Sequence, residues 1–230
     1  MISVIIPTLF RIDRIYQTID ELSKCDIIGK IILIDNTGID KDIKLPKVKY
    51  ILEDKNTYIN PAWNKGINIS TYDKICVLND DIWFDWSKMQ EIHDMINTNI
   101  GLIGMSNDNY HIPSNEFKIS EIPPDWKTNK GQRPVGYACC FFIHKSNWAP
   151  IPNEIKLWVG DDFLFYMKNG LRNYLIEGIK CDGYISGTLD DKSLQSEFDP
   201  IKINDISLIK KQIELGIIEN FIKGTIWDNN

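Results

Sequence analysis

The stretch Ile75-Cys76-Val77-Leu78-Asn79-Asp80-Asp81-Ile82 carries the most informative pattern in this chain. Four apolar residues are followed at once by an amide and two adjacent carboxylates. An apolar run of this length predicts a buried strand, and the polar residues mark its carboxyl end. Adjacent carboxylates repel each other, so a fold keeps them together mainly where they bind a cation. A solvated turn is the alternative interpretation, because Asn and Asp are common in turns.

Similar apolar runs flank this strand, and segments with helical spacing separate them. We predict strands at Ile2–Ile6, Ile31–Ile34, Val48–Leu52 and Ile100–Met105, and helices at Arg11–Lys24, Pro61–Ser70 and Trp86–Ile96. This alternation indicates an α/β fold with a mainly parallel sheet covered by helices on both faces. Ligands of such sheets bind beyond the carboxyl ends of the strands. The residues to inspect there are Pro7 and Thr8, Asp35 and Asn36, and Asn79, Asp80 and Asp81.

The second half of the sequence has weaker periodicity. We expect a long loop at Ser106–Pro134, a strand at Val135–His144, a short helix from Gly160, a strand at Asn173–Cys181, a loop at Asp182–Pro200 and a helix at Ile201–Ile222. A loop as long as the first of these is usually functional. No shift in composition divides the chain, so we expect residues 1–230 to form a single domain.

Composition excludes several classes of protein. The chain has 230 residues, with 26 Lys and Arg against 32 Asp and Glu, a formal charge of −6. No basic stripe is present, so we expect no nucleic-acid partner. No apolar run approaches the length of a transmembrane helix. The five cysteines are scattered and form no CxxC pair, which favours reduced thiols and a cytoplasmic location. The abundance of Ile, Asn and Lys suggests a bacterial or viral source, and for a virus the location is the host cytoplasm.

A second acidic pair occurs in Trp158-Val159-Gly160-Asp161-Asp162-Phe163. Asp is favoured at a helix N-terminus, and this explains one of the two carboxylates. The other is left beside a tryptophan, where a partly shielded carboxylate can act as a general base.

Taken in order, these segments resemble family-2-like glycosyltransferases with the GT-A fold, the nucleotide-sugar-dependent transferases. The matching segments are Val4–Thr8, Ile34–Gly38, Asn60–Ile67 with Asn64 and Gly66 as the best matches, Asn79–Asp81 at the position of the D-x-D motif, and Gly160–Asp162 at the position of the G-E-D motif. The resemblance extends over roughly Ile2 to Leu189, most of the chain.

The resemblance implies a GT-A-type, Rossmann-like mixed sheet in one domain. Residues 1–105 would be the nucleotide-binding half, 106–200 the acceptor-binding and catalytic half, and 201–230 a C-terminal helical segment. The implied reaction is transfer of a sugar from a nucleotide-diphosphate sugar, with a UDP-sugar favoured, to a hydroxyl of a glycan or other acceptor. Inversion and a divalent cation, Mn²⁺ or Mg²⁺, are also implied.

The family pattern assigns each site residue a role. Asp162 is the implied catalytic base and Asp81 the implied metal ligand. The implied nucleotide-sugar-binding residues are Pro7, Thr8, Asp35, Asn36, Asn64, Asn79 and Asp80, and those for the acceptor are Trp158, Asp161 and Trp126.

Two departures from the family pattern keep other functions open. Asn79 stands at the first position of the D-x-D motif, and the stretch 183–191 lacks the histidine that serves many relatives as a third metal ligand. A nucleotidyltransferase is one alternative, although the loop after the first strand lacks the glycines that bind a triphosphate. A non-catalytic carbohydrate-binding or scaffold domain is the other. The oligomeric state is not predicted.

Overall fold

The computed structural model describes residues 1–106, 109, 116–123, 140–183 and 195–222. Its strands are β1 (Ile2–Thr8), β2 (Ile28–Asp35), β3 (Val48–Leu52), β4 (Lys74–Leu78), β5 (Ile82–Phe84), β6 (Ile100–Met105), β7 (Lys118–Glu121), β8 (Cys140–His144), β9 (Arg172–Glu177) and β10 (Cys181–Gly183). Its α-helices are α1 (Arg14–Lys24), α2 (Ile59–Ile69), α3 (Met89–Met95), α4 (Gly160–Phe165) and α5 (Gln195–Glu214).

Eight strands form one mixed sheet in the order β3-β2-β1-β4-β8-β6-β9-β7. The first four are mutually parallel, and β6 pairs in parallel with β9. Only β8 and β7 run against these strands within the described sheet. The remaining two strands, β5 and β10, form a small antiparallel sheet. The predicted α/β class with a mainly parallel sheet is therefore confirmed.

Both faces of the sheet are buried, as the continuous apolar strands predict. On one face, Val4 and Ile6 of β1 pack with α1 and α3. On the other, Ile5 packs with α2, α4 and α5. This arrangement leaves the carboxyl edge of the parallel strands as the place where loops and polar side chains gather.

Three predicted elements differ in the structure. The expected loop Ser106–Pro134 contains β7, an edge strand whose residues are partly exposed and carry little apolar signal. The predicted strand Asn173–Cys181 is divided into β9 and β10 by a turn at Gly178, whose φ is +72°. The last helix, predicted at Ile201–Ile222, is Gln195–Glu214: it starts upstream of Pro200, where burial of Phe198 stabilises an additional turn, and it ends before Gly216, whose φ is +72°.

Two further observations bear on the expected location. Within the described ranges, no helix is long and apolar enough to cross a membrane. Cys25, Cys76, Cys140 and Cys181 are free thiols. Cys139 lies outside the described residues.

Candidate functional site

The carboxyl ends of β1, β2 and β4 meet at one edge of the sheet because the three strands are adjacent and parallel. Thr8, the last residue of β1, is in register with Asp35, the last residue of β2. Beyond that pair, the backbone N–H of Asn36 donates to the carbonyl of Thr8 at 2.9 Å. Pro7 lies one residue earlier and is buried in the sheet. The predicted binding residues of the first two loops are thus brought together.

Thr8 connects this group to the acids after β4. Its hydroxyl donates to Oδ2 of Asp80 at 2.5 Å and accepts the N–H of Phe10 at 2.8 Å. Burial raises the pKa of Asp80, although the Thr8 hydroxyl, backbone N–H groups and the charge of Arg11 act in the opposite direction. Asp80 is therefore a partly buried acid in a fixed position, next to the first two strand ends.

Asp81 is buried beside it, with 7% of its surface exposed, while Asn79 is half-buried. Carboxylate oxygens are the ligands that Mg²⁺ and Mn²⁺ prefer, and Mg²⁺ sites often use only one or two of them together with phosphate oxygens. Among the described residues, no cluster of three or more acidic, histidine or cysteine side chains suits a metal ion. The loop after β4 therefore offers two carboxylates at most, which fits a cation shared with a substrate.

Asp35 is held by two donors. The Tyr50 hydroxyl donates to Oδ2 at 2.6 Å, and the N–H of Thr37 donates to Oδ1 at 2.7 Å. Burial, followed by the hydrogen bond to this carboxylate, raises the pKa of Tyr50 to about 12. The phenol therefore stays protonated and keeps donating to Asp35 at neutral pH.

Asn36 connects the end of β2 to the segment before α2. Its Oδ1 accepts the N–H of Thr57 at 3.1 Å and the hydroxyl of the same residue at 2.8 Å. Because α2 starts two residues later, its first turn lies at the same edge of the sheet as the strand ends.

The second acidic pair reaches this edge through α2. Asp161 and Asp162 are buried in the first turn of α4. The segment that precedes these two residues is hydrogen-bonded to Asn60, in the first turn of α2. The backbone N–H of Asn60 donates to the carbonyl of Lys156 at 3.0 Å, and its Nδ2 donates to the carbonyl of Trp158 at 3.2 Å. The start of α4, which carries Asp161 and Asp162, therefore lies beside the first turn of α2, at the edge where the acids after β4 also lie.

The remaining predicted site residues are Asn64, Trp158 and Trp126. Asn64 binds Ile151 through both ends of its amide, at 2.7 and 3.1 Å, and also accepts the indole N–H of Trp148. These bonds fix the amide of Asn64 against residues 148–151, and its role in nucleotide-sugar binding stays a prediction. Trp158 is half-buried, with Lys202 Nζ 4.9 Å from its ring centroid. Trp126 lies outside the described residues.

Comparison with known proteins identifies the family. The model of Glycosyl transferase family 2 matches residues 3–147, more than half of the chain. The chain belongs to glycosyl transferase family 2. The matched region includes β1, β2, β4 and the acids that follow β4, and it ends before α4. No curated protein matches the chain significantly.

Solved structures share the fold of this family 2 chain at low sequence identity. S. aureus TarS 1–349 in complex with UDP aligns with a TM-score of 0.55 and 13% identity, over 76% of this chain and 59% of TarS. GalNAc-T7 with UDP, GalNAc and Mn²⁺ aligns with a TM-score of 0.60 and 11% identity, over 80% of this chain and 43% of that one. HddC from Yersinia pseudotuberculosis aligns with a TM-score of 0.50 and 13% identity, over 80% and 93%. These likenesses confirm the predicted GT-A fold. The family 2 chain spans about three fifths of the TarS chain it matches.

Three residues around the site were not among the predicted site residues, although Asn60 opens a segment that was matched to the family pattern. Tyr50 and Asn60 hold predicted site segments, and Asp205 of α5 accepts backbone N–H groups of residues 156–158. Asp205 had a detectable signal, because it lies one helical turn before the buried Ile209 and next to the buried Ile206. A carboxylate on the apolar stripe of a helix needs a partner when it is buried.

Proposed function

We propose that this protein is a metal-assisted glycosyltransferase that moves a sugar, with inversion, from a UDP-sugar to a hydroxyl of a glycan. The observation that supports the proposal is that two acidic pairs, Asp80 with Asp81 after β4 and Asp161 with Asp162 at the start of α4, belong to segments that meet at one edge of a family 2 sheet. A UDP donor is favoured because TarS and GalNAc-T7, which share the fold, were crystallised with UDP.

The donor nucleotide is proposed to bind at the ends of β1 and β2. Asp35 is fixed by Tyr50 and Thr37, so it can accept N–H or O–H groups of a base or ribose without rearranging. Asn36 and Thr8 border the same place, and Pro7 supports it from the sheet. Asn79 and Asp80 would approach the ribose from the loop after β4.

A divalent cation fits the loop after β4, where Asp81 and Asp80 offer hard oxygen ligands. When bound, Mn²⁺ or Mg²⁺ would offset the negative charge that develops on the departing diphosphate. GalNAc-T7 was crystallised with Mn²⁺ as well as UDP, which supports the choice of ion. Oxygens of the donor and water would complete the coordination, since the described residues hold no third acidic ligand nearby.

Asp162 is the proposed general base. The acceptor oxygen attacks the anomeric carbon, its proton passes to the Asp162 carboxylate, and the bond from the anomeric carbon to the diphosphate oxygen breaks. A single displacement of this kind inverts the anomeric centre. Asp161 and Trp158, which shortly precede Asp162 in the chain, and Trp126 are proposed to contact the acceptor.

A panel of nucleotide sugars tests the proposal. The panel contains UDP-, GDP- and TDP-linked glucose, galactose, mannose and N-acetylglucosamine, each with and without Mn²⁺, and the readouts are thermal unfolding and donor hydrolysis. A true donor stabilises the fold by mass action, so one UDP-sugar should raise the unfolding temperature most, and only with the metal. No response to any donor contradicts the proposal. Nucleoside triphosphates are tested in the same assay, and a response to them alone indicates a nucleotidyltransferase instead.

A further inference from the structure

A buried carboxylate from α5 binds the backbone just ahead of the second acidic pair. Asp205 is fully buried. Its Oδ1 accepts the N–H of Lys156 at 3.0 Å, and its Oδ2 accepts the N–H groups of Leu157 at 2.8 Å and Trp158 at 2.9 Å. Three successive backbone N–H groups thus donate to one side chain. That side chain belongs to a residue almost fifty positions further along the chain. Such donors compensate for burial of the negative charge.

The segment that Asp205 holds leads into a strained turn. Val159 has a φ of 54°, in the left-handed region that a β-branched residue rarely adopts. Strained conformations persist only where surrounding contacts hold them. Here Asp205 accepts the backbone N–H groups of residues 156–158, and Nδ2 of Asn60 donates to the carbonyl of Trp158 at 3.2 Å. The turn opens directly into Gly160–Asp162, the first residues of α4.

Packing of α5 alone does not require a carboxylate at this position. Ile206 and Ile209 are buried and already attach the helix to the protein, Ile209 in the core that covers the sheet. An apolar side chain at 205 would extend that packing without the cost of burying a charge. The carboxylate at this position instead fixes the backbone of residues 156–158, which lies outside α5.

We propose that Asp205 is a positioning residue: it holds the strained turn at Val159 and thereby fixes where the carboxylates of Asp161 and Asp162 lie. This inference rests on the function proposed above, in which Asp162 is the base. The C-terminal helix then serves the reaction as well as the core. Displacement of the base lowers the rate of sugar transfer, whereas binding of the nucleotide at the ends of β1 and β2 is unaffected.

The test compares Asp205→Asn with a matched variant of the same helix. Asp205→Asn keeps the shape of the side chain but replaces an acceptor oxygen with an NH₂ group, which faces backbone donors. The control is Ile209→Val or Ile209→Ala, whichever has the unfolding midpoint closer to that of Asp205→Asn. Backbone amides of residues 156–162 should exchange hydrogen about tenfold faster in Asp205→Asn than in the control.

Turnover gives the second readout. The probe is the nucleotide sugar of the panel that the unaltered protein hydrolyses fastest, with Mn²⁺. In Asp205→Asn, kcat should fall about 10²-fold, while KM for the donor and the affinity for UDP stay within about twofold. The Ile209 control should keep its kcat. Asp205→Glu, which retains the carboxylate, should recover part of the loss.

The outcomes separate this proposal from the one on which it rests. Equal exchange at residues 156–162 in Asp205→Asn and the control overturns the positioning role, as does an equal loss of kcat in both. An unaltered protein that hydrolyses no nucleotide sugar overturns the proposed function, whereas the exchange comparison still decides whether Asp205 holds the turn. If Asp205→Asn does not fold, Asp205→Leu, whose apolar side chain extends the packing of α5 but accepts no hydrogen bond, gives the same decision by exchange against its own matched Ile209 variant.

Discussion

Gly160 packs directly against the amide of Asn60. A Cβ on Gly160 would stand 2.0 Å from Oδ1 and 2.5 Å from Cγ of Asn60, far inside van der Waals contact. Oδ1 of Asn60 is buried and accepts no hydrogen bond from the described residues, while Nδ2 binds the carbonyl of Trp158. The glycine therefore lets α2 and the start of α4 approach each other, and this approach brings the second acidic pair to the edge of the sheet.

Gly160→Ala should destabilise the protein by about 1–3 kcal/mol because the Asn60 side chain must move out of its place. The double variant with Asn60→Ala removes the obstructing amide. Its loss of unfolding free energy should be smaller than the sum of the two single losses, by about 0.5–3 kcal/mol. Urea unfolding of the four proteins measures this difference. Strictly additive losses would show that the two residues do not obstruct each other.

The sequence predicted the sheet well because its strands are buried on both faces. The bounds predicted for β3, Val48–Leu52, are those found, and β1 and β4 differ from their predictions by one or two residues at an end. The strand ends in turn located Thr8, Asp35 and Asp80. Gly66, matched from the family pattern, is explained by the fold, since a Cβ there would stand 2.4 Å from Ile5.

The supporting contacts could not be predicted in this way. Asn60 and Trp158 are 98 residues apart in the chain, and Asp205 meets residues 156–158 only when α5 packs on the sheet. Local periodicity carries no information about such pairs. The edge strand β7 was missed for a related reason, because its partner β9 stabilises it more than its own apolar content does.

Thr8→Val should weaken binding of UDP with Mn²⁺ about tenfold, since a hydrogen bond to a charged group contributes about 1.5–3 kcal/mol. Valine keeps the β-branched shape but cannot donate to Asp80, so the carboxylate loses its 2.5 Å contact. Isothermal titration calorimetry with UDP measures the change. Unaltered affinity would remove Thr8 from the proposed donor site. Thr18→Val, a buried threonine of α1 changed in the same way, is the matched control and should bind UDP normally.

Thr18→Val also has an expected effect of its own. Thr18 is fully buried, and its hydroxyl has no hydrogen-bond partner among the described residues. Removing an unsatisfied buried hydroxyl should stabilise the protein by about 1 kcal/mol, because the desolvation cost disappears and the shape is kept. A rise in the urea midpoint with an unchanged m-value would show this. A fall in the midpoint would mean that the hydroxyl has a favourable partner.

Glu21 should give the protein a pH-dependent share of its stability. Burial acts to raise its pKa, but hydrogen bonds from Gln17, Trp83 and Trp86 outweigh burial, so the pKa lies below its ordinary value of 4.5. The two indole N–H groups donate to Oε2 at 2.5 and 2.9 Å. A pKa lowered by folding adds stability above the unfolded value, and this contribution is lost as the pH falls through the folded pKa.

The variant Glu21→Gln removes this titration. The difference in unfolding free energy between the unaltered protein and Glu21→Gln should be largest near about pH 7 and should shrink by about pH 3. Urea unfolding at both pH values measures it, and the titrations of all other groups cancel in the comparison. A difference that is constant with pH would mean that the carboxylate is not favoured in its charged form by folding.

Asp162→Asn and Asp161→Asn together decide which carboxylate is the base. Both residues lie buried in the first turn of α4 and differ by one position in the chain, so the asparagine substitutions remove one charge each with little change in shape. If Asp162 accepts the proton, Asp162→Asn should lower the rate of donor hydrolysis or transfer by about 10²–10⁴-fold. Affinity for UDP with Mn²⁺ should stay within about twofold, because the loss concerns only the transition state.

In Asp161→Asn the same rate should fall less than about tenfold, as expected for a residue that only contacts the acceptor. Initial rates at saturating donor measure both variants, and a larger loss in Asp161→Asn would transfer the role of base to Asp161.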